Sequence, residues 1–454
     1  MTITAADISS AVPHLLPPPA PLDVFAPEEF RARRNALRAA CPDGIVVVRG
    51  TTDSEAAHAS AHRQNSPFYY LTGVSTPNAF LVLLPHGVSA SLGLKGVPAE
   101  TREILFLPTR NAATETWLGA RLGPGEETEA ATGIAKVVDA GRFWSALTAW
   151  LHHNALVYTF TPYGEQAKLT REYAFMQRVG DYAPVVQFRD IAKPLTALRM
   201  IKSTAEIARI EEAIAITGEG HRAARNLIAA GAGRNEYEVE AAIFAAFRSR
   251  GARPGFATIV GGGANATVLH YEDNNQILRQ GDAVVIDIGA QIGGYNGDVT
   301  RTYPVGGVFS PRQRDLYRLV QSAIETSVTA FVTGVDSQNS MDTRCKELLK
   351  ASLLRARDRN GAETDKTLDG YMPHGLSHNL GLDVHDLIQV VDRDAPLLPG
   401  QVVTIEPGVY IPVEGIGVRL ENDYLVTENG LRCLGPDLES DLDAVERAMM
   451  ASGS

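Results

Sequence analysis

Short apolar runs closed by glycine or proline recur through the first 190 residues of the chain. GIVVVRG (44–50), FYYLTGV (68–74), AFLVLLP (79–85) and EILFLP (103–108) have the length and composition of buried strands. The segment PEEFRARRNALRAA (27–40) precedes them and is predicted to be a helix. Together these runs predict a mixed α/β domain over residues 25 to about 190.

The pattern changes near residues 190–200. Ser203 is followed three residues later by Glu206, which is the form of a helix capping box, and isoleucines at helical spacing come next. A second helix is predicted from Asn235 to Gly251. Beyond it, strands separated by glycines predominate. We therefore expect three segments: a loose proline-rich arm (1–24), an amino-terminal domain (25–195) and a carboxy-terminal domain (196–454).

Composition excludes several classes of protein. The chain has 454 residues, of which 44% are hydrophobic and 21% charged, as in folded globular proteins. A formal charge of -11 argues against a general nucleic-acid binder. No apolar run approaches the roughly 20 residues of a membrane-spanning helix, and the start lacks the basic region of a signal peptide.

The three cysteines are odd in number and widely spaced, at Cys41, Cys345 and Cys433. They form neither a disulfide framework nor a zinc-ribbon pattern, so each is predicted to be a small buried residue. A reducing cytoplasmic location fits this usage best.

The first candidate for a functional site is a predicted hairpin that carries two carboxylates. The strand AVVIDIGAQ (283–291) carries Asp287 within an apolar run, Gly293-Gly294 is a strong turn signal, and the return strand carries Asp298. With the two glycines at the centre of the turn, Asp287 faces Thr300 and lies diagonally from Asp298 on the same face. Buried carboxylates are costly unless they are paired or bound to metal. The alternative is that both lie near strand ends in water.

A second hairpin has a similar pattern. The predicted strand VVTIEPGVYIP (402–412) carries Glu406, and the predicted strand VRLENDYLVT (418–427) carries Arg419 and Glu421. Arg419 and Glu421 share a face because they are two residues apart, so Arg419 could hold a carboxylate through a bidentate contact. A plain salt bridge on the strand is the alternative.

Between the two hairpins, the stretch HGLSHNLGLDVHD (374–386) contains three histidines. One or more of them would join four carboxylates in a ligand set without sulfur, which suits Mn, Co, Zn or Fe. Four carboxylates are too many for one catalytic zinc, which usually has three protein ligands. They suit two ions about 3.5–4 Å apart.

In order and approximate spacing, the motifs DIGAQIGGYNGDVTRTYP, HGLSHNLGLDVHD, TIEPGVY and GVRLEND resemble those of the pita-bread metallopeptidases, the family of methionine aminopeptidase, aminopeptidase P and prolidase. HRQNSPFYYLTGVSTPNAFLVLLP (62–85) and TWLGARLGPGEE (116–127) resemble the amino-terminal domain of aminopeptidase P. The resemblance implies an α+β protein. A pita-bread catalytic domain, a curved antiparallel sheet covered by helices, would follow a smaller α/β creatinase-like amino-terminal domain.

The resemblance also implies roles for individual residues. Asp298 and Glu421 would bridge two divalent ions, most simply Mn²⁺, with Co²⁺ or Zn²⁺ as alternatives. Asp287 would complete the ligand set of one ion, and His378 and Glu406 would complete that of the other. The residues implied to bind substrate are His270, His374, His385, Tyr410, Arg419 and Arg393. Of these, His270, His374 and His385 are also candidates for catalysis beside Glu406.

The implied reaction is hydrolysis of the bond between a peptide's first residue and a following proline. A hydroxide between the ions would attack, and Glu406 would pass its proton to the leaving nitrogen. The implied partners are short peptides with proline second, and a second copy of the chain in a homodimer or homotetramer. Asn379 stands where the bacterial aminopeptidase pattern favours an aromatic residue, and the gap between Glu406 and Glu421 is short, so the local pocket could differ from that of relatives.

Three alternatives remain open at the level of sequence. A prolidase would cut Xaa-Pro dipeptides, and Arg393 lies near the position where such enzymes capture the free carboxylate. A creatinase-like hydrolase uses the fold without metal, but lacks the full ligand set that is present here. A non-catalytic pseudo-peptidase would usually have lost ligands, and none is lost.

Overall fold

The computed structural model describes most of the chain. The described residues are 15–16, 24–52, 63–85, 92–387, 390–435 and 438–452. They form two compact units, Met1–Arg199 and Met200–Ser454. Apart from Leu15, Leu16 and Val24, the predicted proline-rich arm lies outside the described residues.

The first unit is an α/β domain built on one sheet. Its strands are β1 (Ile45–Arg49), β2 (Phe80–Leu83), β3 (Glu103–Leu107), β4 (Lys136–Asp139), β5 (Leu156–Thr159) and β6 (Gln187–Asp190). Its helices are α1 (Pro27–Ala40), α2 (Ser66–Thr72), α3 (Ala112–Leu118), α4 (Glu126–Thr132), α5 (Phe143–Leu151), α6 (Arg171–Tyr182) and α7 (Ala192–Met200), with short 3₁₀ turns at Ala140–Arg142 and Ala167–Leu169. The strand order is β4-β3-β2-β1-β5-β6, with β2 antiparallel to both neighbours and the other pairs parallel.

One prediction in this unit is wrong. The run FYYLTGV (68–74) was expected to be a strand, but it lies in α2 and the cap that follows. Asn65 accepts a hydrogen bond from the Phe68 N–H, Pro67 lies in the first turn, and Gly73 ends the helix in the left-handed conformation. A short buried apolar run has no periodicity that separates helix from strand, so the capping residues decide.

The second unit consists of long helices and small antiparallel sheets. Its helices are α8 (Thr204–Ala229), α9 (Glu236–Ser249), α10 (Pro311–Thr329), α11 (Gln338–Ala351) and α12 (Leu442–Ser452), with 3₁₀ turns at Gly263–Thr267 and Leu368–Tyr371. Its strands are β7 (Arg253–Pro254), β8 (Ile259–Gly262), β9 (Ala283–Ile288), β10 (Ala290–Ile292), β11 (Tyr295–Asn296), β12 (Val299–Pro304), β13 (Val402–Ile405), β14 (Gly408–Ile411), β15 (Ile416–Arg419), β16 (Asn422–Thr427) and β17 (Gly430–Cys433).

Local sequence signals set the helix starts in this unit. The predicted capping box is present: Ser203 accepts from the Glu206 N–H, and the Glu206 carboxylate accepts from the Ser203 N–H. Asn235 is the N-cap of α9, and its own N–H donates to Glu238 at 2.7 Å. Among the described residues, no helix is both long and apolar enough to span a bilayer.

The first predicted hairpin is confirmed, with one interruption. Asp287 pairs with Thr300, as the turn at Gly293-Gly294 requires, and both glycines have positive φ, 57° and 86°. The strand breaks at Gly289, between β9 and β10. A Cβ atom at Gly289 would lie 2.1 Å from the Gly297 carbonyl oxygen, so the two strands approach too closely there for any other residue.

The second hairpin is divided in the same way. β13 pairs with β16, and β14 pairs with β15, in one register with a gap between the two pairs. Extending that register across the gap places Glu406 opposite Glu421. The predicted continuous strands 402–412 and 418–427 are therefore each divided, and the gaps lie at Glu406 and Glu421 in this hairpin and at Asp298 in the first.

We expect Gly289→Ala to lower the free energy of unfolding by about 3 kcal/mol, because the added methyl group overlaps backbone and must push the hairpin apart. Gly370→Ala is the matched control in the same unit, since its Cβ would meet nothing within 4 Å, and it should stay within about 0.5 kcal/mol of the parent. Urea unfolding measures both. Equal unfolding midpoints for the two variants would contradict the close approach at Gly289.

Candidate metal centre

The second unit contains a cavity of about 450 Å³ beside the gaps in the two hairpins. Its lining includes every residue predicted for the site except Tyr410: His270, Asp287, Asp298, His374, His378, His385, Arg393, Glu406, Arg419 and Glu421. Tyr410 is buried and hydrogen-bonded to two of these residues. Residues more than 150 positions apart in sequence therefore meet around one space.

Three side chains lie close enough to share one ion. Asp298, His378 and Glu421 each offer a ligand atom, and these atoms lie within 4.8 Å of one another. His378 Nε2 is 3.5 Å from Asp298 Oδ2 and 3.6 Å from Glu406 Oε1. Glu406 thus adjoins the group through the same imidazole nitrogen.

The tautomer of the neutral His378 ring is set by the neighbouring backbone. Its Nδ1 lies 3.0 Å from the Asn379 carbonyl oxygen, which can only accept a hydrogen bond. The proton therefore resides on Nδ1 and leaves the Nε2 lone pair facing the carboxylates, as a metal ligand requires.

Arg419 connects the two hairpins. Its Nη2 donates to Asp287 Oδ2 at 2.6 Å, and its Nε donates to Thr300 Oγ1 at 3.1 Å. The Thr300 hydroxyl donates in turn to Glu421 Oε2 at 2.7 Å. The contact with Asp287 uses one carboxylate oxygen rather than the bidentate pair expected from the sequence. The other oxygen, Asp287 Oδ1, is buried and accepts no hydrogen bond from the described residues.

A second branch of this network holds His374. Arg419 Nη1 donates to the Tyr410 hydroxyl at 3.0 Å, and that hydroxyl lies 2.9 Å from His374 Nε2. His374 Nδ1 is 2.9 Å from the Gly375 carbonyl oxygen, so Nδ1 carries the proton and Nε2 accepts from tyrosine. Burial lowers the pKa of His374 to about 4, which keeps the ring neutral near pH 7.

The electrostatics of the cavity favour a bound cation. Burial, followed by the neighbouring carboxylates, raises the pKa of both Asp298 and Glu421 well above the usual range. Burial also raises the pKa of Glu406 to about 7. Ionising several carboxylates in a low-dielectric pocket is unfavourable unless positive charge is added.

The residues present fit divalent metal ions. The donor set consists of carboxylate oxygens and one imidazole nitrogen, an orphaned carboxylate oxygen lies on Asp287, and the lining contains no cysteine. Oxygen-rich sets of this kind suit Mn²⁺, and zinc and cobalt are also compatible with them.

His385 and His270 also line the cavity. The rings of His385 and His378 have centroids 4.3 Å apart. Loss of solvation in the pocket, followed by the charges of His378 and His270, lowers the pKa of His385 to about 4. His385 is therefore neutral near pH 7 and can donate one hydrogen bond to a substrate.

Several residues around the cavity were not singled out from the sequence. Asp423 accepts the Asp298 N–H at 2.9 Å, and Thr404 contacts the backbone of His378. Asp423 follows Glu421 by two residues, and residues two apart on a strand lie on the same face. This spacing could have identified Asp423 from the sequence. Phe256 and Glu272 also line the cavity, and no local pattern marks either of them.

Comparison with known proteins agrees with this geometry. Residues 30–158 match the aminopeptidase P N-terminal domain, and residues 208–428 match metallopeptidase family M24. The chain is 32% identical to the Xaa-Pro aminopeptidase of Escherichia coli, across 94% of this chain and 98% of that protein.

Two solved structures extend the comparison to the fold. Proline aminopeptidase P II from Yersinia pestis has a TM-score of 0.77 at 31% identity, covering 94% of this chain and 100% of that one. Zinc-substituted Escherichia coli aminopeptidase P in complex with product has a TM-score of 0.80 at 30% identity, covering 94% and 99%. The chain therefore belongs to metallopeptidase family M24, with an aminopeptidase P N-terminal domain ahead of the matching region.

Proposed function

We propose that this protein is an Xaa-Pro aminopeptidase, which hydrolyses the bond between the first residue of a peptide and a following proline. The observation that carries the proposal is the convergence of four carboxylates, two of them almost fully buried, and His378 on one cavity with neutral histidines along its wall. The similarity to Xaa-Pro aminopeptidases over nearly the whole chain supports the choice of substrate.

In this proposal Asp287, Asp298, His378, Glu406 and Glu421 hold two divalent ions, most simply Mn²⁺. When bound, such ions supply Lewis-acid polarisation and lower the pKa of water to near neutrality. Asp298 and Glu421 would each contact both ions. Their location supports this assignment, because both carboxylates lie close to the His378 imidazole.

Glu406 is the candidate general base and acid. Its Oε1 lies beside His378, and burial raises its pKa to about 7, which matches a group that must both take and return a proton near neutral pH. It would accept a proton from the attacking water and deliver it to the proline nitrogen. That delivery matters because the leaving group is a tertiary amide nitrogen, which departs as an amine only after protonation.

The histidines are assigned to the substrate, and Arg419 to the orientation of a candidate metal ligand. Neutral His385, together with His270, would donate hydrogen bonds to the oxygen on which negative charge develops. His374, held by Tyr410, would line the path of the peptide. Arg419 would keep Asp287 oriented, since their contact is short and buried.

Prolidase activity is the second candidate, and Arg393 is the observation that favours it. Arg393 lines the cavity and its Nε donates to Asn339 Oδ1 at 3.3 Å. A guanidinium in that position can bind the free carboxylate of an Xaa-Pro dipeptide. The similar proteins are named Xaa-Pro aminopeptidases rather than dipeptidases, so we place prolidase second.

We propose in addition that the chain forms a homodimer or homotetramer in a reducing cytoplasm. The first unit exposes large apolar side chains, including Trp117 (82%) and Leu169 (83%), which a second copy could cover. All three cysteines are free thiols, as expected where disulfides do not form; Cys41 and Cys345 are buried as predicted, whereas Cys433 is only partly buried. Light scattering of the purified chain and cell fractionation test these two proposals.

The substrate class is tested by side-by-side hydrolysis of Ala-Pro and Ala-Pro-Ala with the Mn²⁺-loaded enzyme, read by mass spectrometry. We expect cleavage mainly of the tripeptide, with release of alanine. Cleavage of the dipeptide alone would favour prolidase, and Arg393→Ala should then raise KM for the dipeptide. If neither peptide is cut, the Xaa-Pro assignment is wrong.

Glu406→Gln should lower kcat by a factor of about 10²–10⁴, because the amide cannot accept and return the proton. Glu414→Gln is a control, since Glu414 is a partly buried carboxylate of the same unit that pairs with Arg312 and does not line the cavity. It should reduce stability while leaving kcat of the folded fraction near the parent value. Normal turnover in Glu406→Gln would refute the role of Glu406.

Metal binding should depend on pH with a definite sign. The pKa of Glu406 is raised from 4.5 to about 7, so the metal-free folded state holds this proton more tightly than the unfolded state, and stability falls as pH rises through that window. Ions need the deprotonated carboxylates. We expect the rise in Tm on adding Mn²⁺ to be larger near pH 8 than near pH 5.

Each Mn²⁺-loaded sample is compared with metal-free protein at the same pH, which removes contributions from titratable groups elsewhere. An equal rise in Tm at both pH values would show that the buried carboxylates do not compete with the ion for protons.

A further inference from the structure

One face of the sheet that contains β13 and β16 contacts the backbone of the candidate ligands His378 and Asp298. β13 has β16 on one side and the segment 376–380 on the other. That segment runs along β13 through three backbone hydrogen bonds: Glu406 N–H to Leu376 O at 2.9 Å, Thr404 N–H to His378 O at 2.9 Å, and Leu380 N–H to Val402 O at 3.0 Å. His378 is thus mounted on the edge of this sheet.

Thr404 and Asp423 face each other across β13 and β16. Their side chains share a face of the sheet, and both residues are fully buried. The Thr404 hydroxyl oxygen accepts the His378 N–H at 3.2 Å, and Asp423 Oδ2 accepts the Asp298 N–H at 2.9 Å. A single cross-strand pair therefore contacts the backbone of two candidate ligands that come from different parts of the chain.

The contact with Asp298 follows from the alternation of hydrogen bonds in an antiparallel hairpin: the Gly297 N–H donates to the Ala290 carbonyl oxygen at 3.0 Å, so the next residue directs its N–H away from the facing strand. Asp298 lies between β11 and β12, opposite Gly289, where the ladder is interrupted. Its N–H points to Asp423 instead of to the facing strand. The Asp298 carboxylate then meets the His378 ring, with 3.5 Å between Oδ2 and Nε2.

Stability alone does not account for aspartate at position 423. The residue is completely buried, and Asp423 Oδ1 has no hydrogen-bond partner among the described residues. A neutral acceptor could satisfy the Asp298 N–H without the cost of burying a second polar oxygen. Neither Asp423 nor Thr404 lines the cavity, so both can act only through the residues they hold.

We propose that Thr404 and Asp423 are positioning residues, which fix the separation of His378 and Asp298 so that both can bind the same divalent ion. This inference rests on the proposed function, because it assumes that the cavity binds metal. Groups that hold metal ligands in place typically contribute a factor of about 10–100 to metal affinity.

The first test measures Mn²⁺ affinity of metal-free protein by isothermal titration calorimetry. Thr404→Val keeps the shape of the side chain but removes the hydroxyl, and should weaken binding by about 10- to 100-fold. Thr404→Ser restores the hydroxyl and should restore the affinity. Saturating Mn²⁺ should recover peptide hydrolysis in Thr404→Val, which a merely unfolded fraction would not do.

Thr72→Val is the matched control. Thr72 is a fully buried threonine of the first unit whose hydroxyl also accepts a backbone N–H, that of Val74, at 3.1 Å. This change should reduce stability comparably and leave Mn²⁺ affinity unchanged. Equal affinity losses in Thr72→Val and Thr404→Val would overturn the inference.

The second test separates the hydrogen bond of Asp423 from its charge. Asp423→Asn keeps an acceptor for the Asp298 N–H and should bind Mn²⁺ within a few-fold of the parent. Asp423→Ala removes it and should lose about 10- to 100-fold. If asparagine is as damaging as alanine, the charge rather than the hydrogen bond acts, and positioning by this contact is overturned. Should either larger change prevent folding, Asp423→Asn and Thr404→Ser still decide, because loss of affinity in both contradicts the inference.

Mn²⁺ binding by the parent protein distinguishes failure of the proposed function from failure of this inference. No Mn²⁺ binding by the parent would overturn the proposed function and this inference with it. Normal binding by the parent and unchanged binding by Thr404→Val and Asp423→Ala would overturn this inference alone.

Discussion

Mutual repulsion among buried carboxylates is the constraint on which the second unit depends. Asp298 and Glu421 are almost fully buried, and Asp287 and Glu406 adjoin them in the same cavity. Their cost in an apolar interior is recovered only if positive charge enters the space between them. That space lies beside the gaps in the two hairpins, where Asp298, Glu406 and Glu421 are located, and Asp287 reaches it from the adjoining strand β9.

The protein itself supplies little compensating charge at this point. Arg419 forms the short ion pair with Asp287 and reaches Glu421 only through the Thr300 hydroxyl. Arg301 is also buried nearby, but its hydrogen bonds go to neutral groups, including the Glu421 carbonyl oxygen at 2.7 Å. The geometry is therefore held by hydrogen bonds, while the charge balance is left to ions.

The same low dielectric prepares the other groups for chemistry. It keeps His374 and His385 neutral near pH 7, so that they can donate or accept hydrogen bonds without adding charge. It also raises the pKa of Glu406 to about 7, which suits the role of general base and acid proposed for it. In the proposed function, one physical cause, burial, would thus favour metal binding, proton transfer and recognition of the substrate oxygen together.

Local patterns in the sequence determined much of this architecture. The capping box at Ser203, the turn at Gly293-Gly294 and the facing of Asp287 and Thr300 follow from propensities and strand period alone, and the motifs identified the family. Periodicity could not separate helix from strand at residues 68–74, where Asn65 and Gly73 decided. The roles of the individual site residues remain predictions.

Tertiary structure alone decided how these segments meet. The strand break at Gly289 and the gap in the second hairpin, where Glu406 lies opposite Glu421, depend on how closely strands approach. The buried ion pair of Lys202 with Asp386, at 3.1 Å, joins residues 184 positions apart. Thr404 and Asp423 acquire their contacts with His378 and Asp298 in the same way. Sequence patterns report the period and polarity of one segment, whereas distances between segments arise from the packing of the whole unit.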